Sequence, residues 1–145
     1  MKKLEIGSGQ RPSPGYIHND VNAFPGIDIV GNPWEIDLED NSLDEVLALG
    51  VMEHFIYSHF DLAMANIHRM LKPGGEFCFD VPDIVVWCRY VVDHFDGKEI
   101  PFTIEHVFST LYVWQRWPGD DHKSGWYMDL LTAALQKSGF TQYNF

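Results

Sequence analysis

An apolar segment, Lys3 to Ile6, runs straight into Gly7-Ser8-Gly9, and a second short segment, Tyr16 to Asp20, ends on a carboxylate. Strand, glycine turn, strand and acid together make a nucleotide-binding layout. The glycines let the backbone turn tightly and let a ligand come close to the main chain. A carboxylate after the second strand can hold two ribose hydroxyls. Only residues 7 to 15 separate the two segments. A parallel crossover normally takes about a dozen residues or more, usually with a helix. The first crossover helix is therefore expected to be missing or reduced to a loop, and Pro12 and Pro14 favour a loop.

Further along, Ile27 to Val30 reads as a third strand and Leu43 to Leu49 as a buried fourth, after the turn at Asn41-Ser42. Phe60, Met64, Ile67 and Leu71 fall on one stripe and predict a helix over 60–71, stopped by Lys72-Pro73-Gly74-Gly75. Glu76 to Val81 reads as a fifth strand. Asp83 and Thr103 are placed to cap helices over 84–95 and 104–115. A last helix spans 126–138, closed by Gly139, and 141–145 looks like the start of one more strand. Strands alternating with helices predict an α/β, doubly wound, Rossmann-like domain spanning 1–145, with a mostly parallel sheet covered on both faces.

The bulk properties narrow the partners. At 46% hydrophobic residues the chain can bury a real core, which argues against disorder. A formal charge of -11 argues against a nucleic-acid phosphate binder, because such surfaces are usually basic. No apolar run approaches the roughly 20 residues of a membrane span. The N-terminus lacks a signal-peptide core, so the cytoplasm is the expected location. Cys78 and Cys88 sit among apolar neighbours and read as reduced core residues.

A dinucleotide site would show Gly-x-Gly-x-x-Gly opening a helix, but Gly9 is followed by Gln10, Arg11 and Pro12. No Gly-Lys-Ser/Thr follows, so there is no P-loop. The chain instead resembles class I S-adenosylmethionine-dependent methyltransferases. The matching pieces run in order: Leu4 to Gly9, Asp20, Asp37-Leu38 with Asp40 to Asp44, Val51-Met52-Glu53-His54-Phe55, and Met70 to Gly75. The tail from Asp121-His122-Lys123 to Gly139-Phe140 is similar to that of a short bacterial subgroup, which also shortens the first crossover.

The resemblance implies S-adenosylmethionine as cofactor and S-adenosylhomocysteine as product. It implies that Gly7, Ser8 and Gly9 pack against the methionine portion and ribose, with Glu5 acting through that loop. Asp20 would accept from the ribose hydroxyls and Asp37 from the adenine amino group, with Leu38 on the ring. The carbonyl of Gly50 would accept from the amino acid nitrogen. Each position also has an ordinary reading. Gly7 and Gly9 can be a plain turn, Asp20 a cap, Asp37 the start of a turn, and Gly50 a tight bend.

On the acceptor side, His54 and His122 are the candidate proton acceptors, since an imidazole titrates near neutrality. Either could equally be a structural or solvated histidine. Tyr57, Trp87, Trp114 and Trp117 could wall the acceptor pocket or simply pack. His54, His59, His106 and His122 could converge, but no Cys-His or His-Glu-x-x-His spacing supports a metal, and none is expected.

The expected activity is methyl transfer to a small-molecule acceptor, with no nucleic acid or membrane partner. Two rivals remain open. One is a binding module or partner subunit that keeps the cofactor but has lost turnover. The other is a Rossmann-type oxidoreductase, whose full glycine fingerprint and Tyr-x-x-x-Lys pair are absent. The family usually adds an antiparallel strand pair after the fifth strand, so the C-terminal edge is expected to be short. A homodimer through that edge, or through the segment near Trp114 and Trp117, would cover it.

Overall fold

A computed structural model describes residues 1–116 and 119–145. Five parallel strands, β1 (Lys3–Ile6), β2 (Ile17–Asp20), β3 (Ile29–Val30), β4 (Leu43–Ala48) and β5 (Leu71–Phe79), form one sheet in the order 3-2-1-4-5. The helices are α1 (Tyr57–Met70), α2 (Ile84–Phe95), α3 (Ile104–Tyr112) and α4 (Met128–Lys137). This is the expected α/β, doubly wound order. The first crossover is a loop, as its length and prolines required. The second, and the third apart from a single 3-10 turn at Pro33–Glu35, also lack a helix.

The expectation of helices on both faces is corrected. One face of the sheet carries Leu4, Ile6, Val46 and Ala48, all buried. Phe77 and Phe79 join them from β5. Onto this face pack Phe60, Ala63, Met64, Ile67 and Met70 of α1 and Leu131 and Leu135 of α4. The aromatic core is continuous: Phe60 lies 4.1 Å from Trp126 and 6.5 Å from Phe79, centroid to centroid.

The register places Lys3, Glu45 and Glu76 side by side on the other face, and likewise Glu5, Leu47 and Cys78. None of these six belongs to the buried apolar core. Lys3 pairs with Glu45 at 2.5 Å, and Tyr16 donates its hydroxyl proton to the same carboxylate. Parallel sheets normally bury both faces. Here the strands instead alternate apolar and polar, most plainly in Glu76-Phe77-Cys78-Phe79-Asp80.

Two boundaries differ for local reasons. The chain passes from α1 into β5 without a break, and Leu71 already pairs with Leu43, so Lys72 to Gly75 lie within an irregular strand start. Residues 141–145 form no strand; Phe140 and Tyr143 pack against the core instead. Both cysteines are free but exposed, Cys78 on the polar face and Cys88 on α2, which corrects their reading as core residues. Among the described residues no helix is long and apolar enough to cross a membrane.

Candidate functional site

In a doubly wound sheet, ligands bind beyond the carboxyl ends of the strands where the winding direction reverses. The order 3-2-1-4-5 puts that point between β1 and β4. Gly7-Ser8-Gly9 leaves β1 on one side of it, and Leu49-Gly50-Val51 leaves β4 on the other.

The glycine loop is held by specific bonds. Gly9 N–H donates to Asp20 Oδ2 at 2.9 Å, and Ser8 N–H to the Asn19 carbonyl at 3.0 Å. Asp20 Oδ1 accepts from Asn22 N–H at 2.8 Å. The carboxylate thus ties the ends of β1 and β2 together. Glu5 braces the short crossover: its carboxylate accepts from Ser13 N–H at 2.8 Å and from the Ser13 hydroxyl at 2.6 Å.

The glycines have different reasons. A Cβ on Gly7 would stand 2.2 Å from Val51 Cγ2, so close packing of the two strand ends demands glycine there. A Cβ on Gly9 would meet nothing nearer than 4.0 Å, and one on Gly50 nothing within 4 Å. Both adopt positive φ, +58° and +64°, beside open space that a ligand can enter. Gly50 N–H donates to Asp80 Oδ1 at 2.6 Å, which leaves its carbonyl for other partners.

Asp37 and Leu38 do not join this group. Arg69, in the last turn of α1, donates to the Leu38 carbonyl at 2.7 Å and to that of Ile36 at 3.3 Å. The helix runs back from the carboxyl ends of the strands, and its 14 residues span roughly 21 Å. Its last turn, and with it Asp37, lies toward the opposite end of the sheet. The first side chain beyond β3 at the correct end is that of Asn32, two residues past Val30. Its neighbour Gly31 donates N–H to the Asp20 carbonyl at 2.9 Å. Sequence reasoning passed over Asn32, although Val30-Gly31-Asn32 is a strand end followed by glycine.

Past β4, a 3-10 turn (Met52–His54) delivers Glu53 and His54, and the loop before α4 delivers His122. The two histidine rings meet edge to face at 4.9 Å. His54 Nδ1 lies 3.2 Å from the Asp121 carbonyl. Glu53 Oε1 is 3.6 Å from His122 Nε2, and Glu53 is only 5% exposed. Burial pushes the Glu53 carboxyl up to about 7, and the charge of Asp80 adds to the rise. Burial and the His54 ring hold His122 below its usual range. Both shifts favour the uncharged forms, so the 3.6 Å approach is not a settled ion pair. Glu53 Oε2 is buried and has no hydrogen-bond partner among the described residues. Sequence reasoning gave Glu53 no role of its own. The Glu-His pair after β4 was its only signal.

The remaining candidates scatter. His59 stacks on Trp34 at 4.4 Å, and His106 joins Trp87 and Phe102 between α2 and α3. Tyr57 donates its hydroxyl proton to the Gly125 carbonyl at 2.9 Å. Trp114 is exposed. Trp117 lies outside the described residues.

Sheet order, switch-point loop and acid define a Rossmann-like methyltransferase fold. The chain belongs to the methyltransferase domain family, whose profile matches residues 4–79. A tRNA (guanine-N(7)-)-methyltransferase of Agrobacterium fabrum is 35% identical over 66 residues, which cover 44% of this chain and 28% of that protein. A SAM dependent methyltransferase from Archaeoglobus fulgidus shares the fold at a TM-score of 0.63 and 16% identity, over 95% of this chain and 60% of that one. YcgJ of Bacillus subtilis does so at a TM-score of 0.57 and 16% identity, over 94% and 60%. The chain thus spans less than two thirds of each of these relatives' own lengths.

Proposed function

We propose that this chain binds S-adenosylmethionine at the switch point and transfers its methyl group to a small-molecule acceptor. The observation that carries the reading is the Gly7-to-Gly9 loop fastened to Asp20 by the 2.9 Å bond from Gly9. The family supports the cofactor. The sulfonium supplies an already activated methyl, so the protein's task is to position partners and exclude water.

Each residue then has a task. Backbone at Gly7, Ser8 and Gly9 lies along the methionine portion and ribose, with Glu5 holding the crossover loop behind it. The free lone pairs of Asp20 accept from the ribose hydroxyls. Asn32, rather than Asp37, meets the adenine edge, because it follows β3 at the end where Asp20 stands. The Gly50 carbonyl accepts from the amino acid nitrogen. His54 and His122, with Glu53, form the polar wall that an acceptor meets beyond β4.

The Agrobacterium relative's name raises tRNA as a second acceptor class. A net charge of -11 weighs against it.

Calorimetric titration with S-adenosylmethionine, S-adenosylhomocysteine and NAD tests the reading, using wild type and Asp20→Ala. The expected result is micromolar binding of the first two, weakened about tenfold or more in the variant, and none of NAD. Absence of binding to both sulfur compounds sinks it. Labelled methyl transfer to metabolite fractions and to bulk tRNA then separates the acceptor classes.

A further inference from the structure

Glu53, His54 and His122 bring one ligand atom each within 4.8 Å of the others, a convergence of metal-ligating groups at the carboxyl end of β4. Four observations mark it as more than chance contact. First, the segments are stitched together in backbone. The Glu53 carbonyl accepts from Lys123 N–H at 2.9 Å and from Ser124 N–H at 3.2 Å, which fixes His122 opposite Glu53. Second, Glu53 is nineteen-twentieths buried, yet Oε2 has no hydrogen-bond partner among the described residues. A buried polar oxygen is normally hydrogen-bonded or bound to an ion. Third, the 3.6 Å from Glu53 Oε1 to His122 Nε2 is too long for a hydrogen bond. It is close to the roughly 3.4 Å that separates two ligands bound tetrahedrally at ~2.1 Å to one ion. Fourth, His54 Nδ1 is engaged with the Asp121 carbonyl, which sets the tautomer that leaves the Nε2 lone pair free.

We propose that Glu53, His54 and His122 bind one borderline divalent cation of the zinc, cobalt and nickel class. Two imidazoles and one carboxylate suit these ions, and three protein ligands leave a fourth position for water or another oxygen or nitrogen ligand. No His-x-x-x-His spacing announces this set, because two ligands are adjacent in sequence and the third lies 68 residues away from His54. With the ion bound, the histidines hold metal rather than take the acceptor's proton. This replaces the role read for them in the sequence. Metal binding does not depend on the methyl-transfer reading, and either can fail alone.

The test titrates the metal-depleted full chain with zinc in competition with a chromophoric chelator, and separately with cobalt followed by visible absorption. Wild type is expected to bind one equivalent, with the intense ligand-field bands of low-coordinate cobalt. Glu53→Gln and His122→Asn are each expected to weaken binding about tenfold or more. His59→Asn and His106→Asn, which remove histidines elsewhere, should leave it unchanged. Equal affinity in wild type and both ligand variants overturns the proposal, as does the absence of stoichiometric binding. Should a ligand variant fail to fold, the wild-type cobalt spectrum still decides: pale, octahedral, water-like bands overturn the site.

Discussion

The two faces of the sheet are built from the same strands yet behave as different materials. The face under α1 and α4 is a packed aromatic and aliphatic core, with Phe60, Met64, Ile67 and Trp126 wholly or nearly wholly buried. The opposite face offers Lys3, Glu45, Glu76 and Cys78, two of them ion-paired and the last two exposed. The usual parallel sheet hides both faces beneath crossover helices. None of the first three crossovers carries an α-helix here, and the strand residues alternate accordingly, so the open face meets water mainly through polar side chains, with Val30 the exposed apolar residue of β3. The functional end survives because it needs only strand ends and loops. Those are held by Asp20, Glu5 and Val51 rather than by helices.

The contrast yields graded expectations. Phe60→Ala should be the most damaging change, costing about 3–5 kcal/mol by thermal or denaturant unfolding, since it empties the centre of the covered face. Gly7→Ala should follow at roughly 2–4 kcal/mol, from positive φ and collision with Val51, and should also abolish cofactor binding. On the open face, Lys3→Met should change the unfolding midpoint little, because its pairing with Glu45 is partly solvated. Glu76→Thr should fall within about 0.5 kcal/mol. Cys78 should react with maleimide at close to the rate of a free thiol of the same ionisation. A large cost at Glu76 or a protected Cys78 would mean that something covers this face in solution.

Much of this was legible from residues 1–20. The glycine turn, the acid after β2 and the missing first helix all follow from local spacing and proline chemistry. His54 and His122 were both read as candidate proton acceptors, and the fold brings their rings to 4.9 Å. What escaped depends on burial and on strand ends. Glu53 reads like any surface acid until the loop at Lys123–Ser124 closes over it. Asp37 looked like the adenine ligand by resemblance alone, although the third strand already reads as ending at Val30. The end lies at Val30, which puts Asn32 in place and carries Asp37 down beside Arg69. The cysteines looked buried from their neighbours, but β5 alternates and sends Cys78 outward. That same alternation was the readable sign of one-sided cover.

Hydrogen exchange with and without S-adenosylhomocysteine tests the central claim, that the cofactor sits across the switch point on loops alone. The account predicts slowed exchange at residues 7–9, 20–22, 31–32 and 50–51, with residues 36–40 unchanged. Protection centred on 36–40, or none in the glycine loop at saturating ligand, would contradict it.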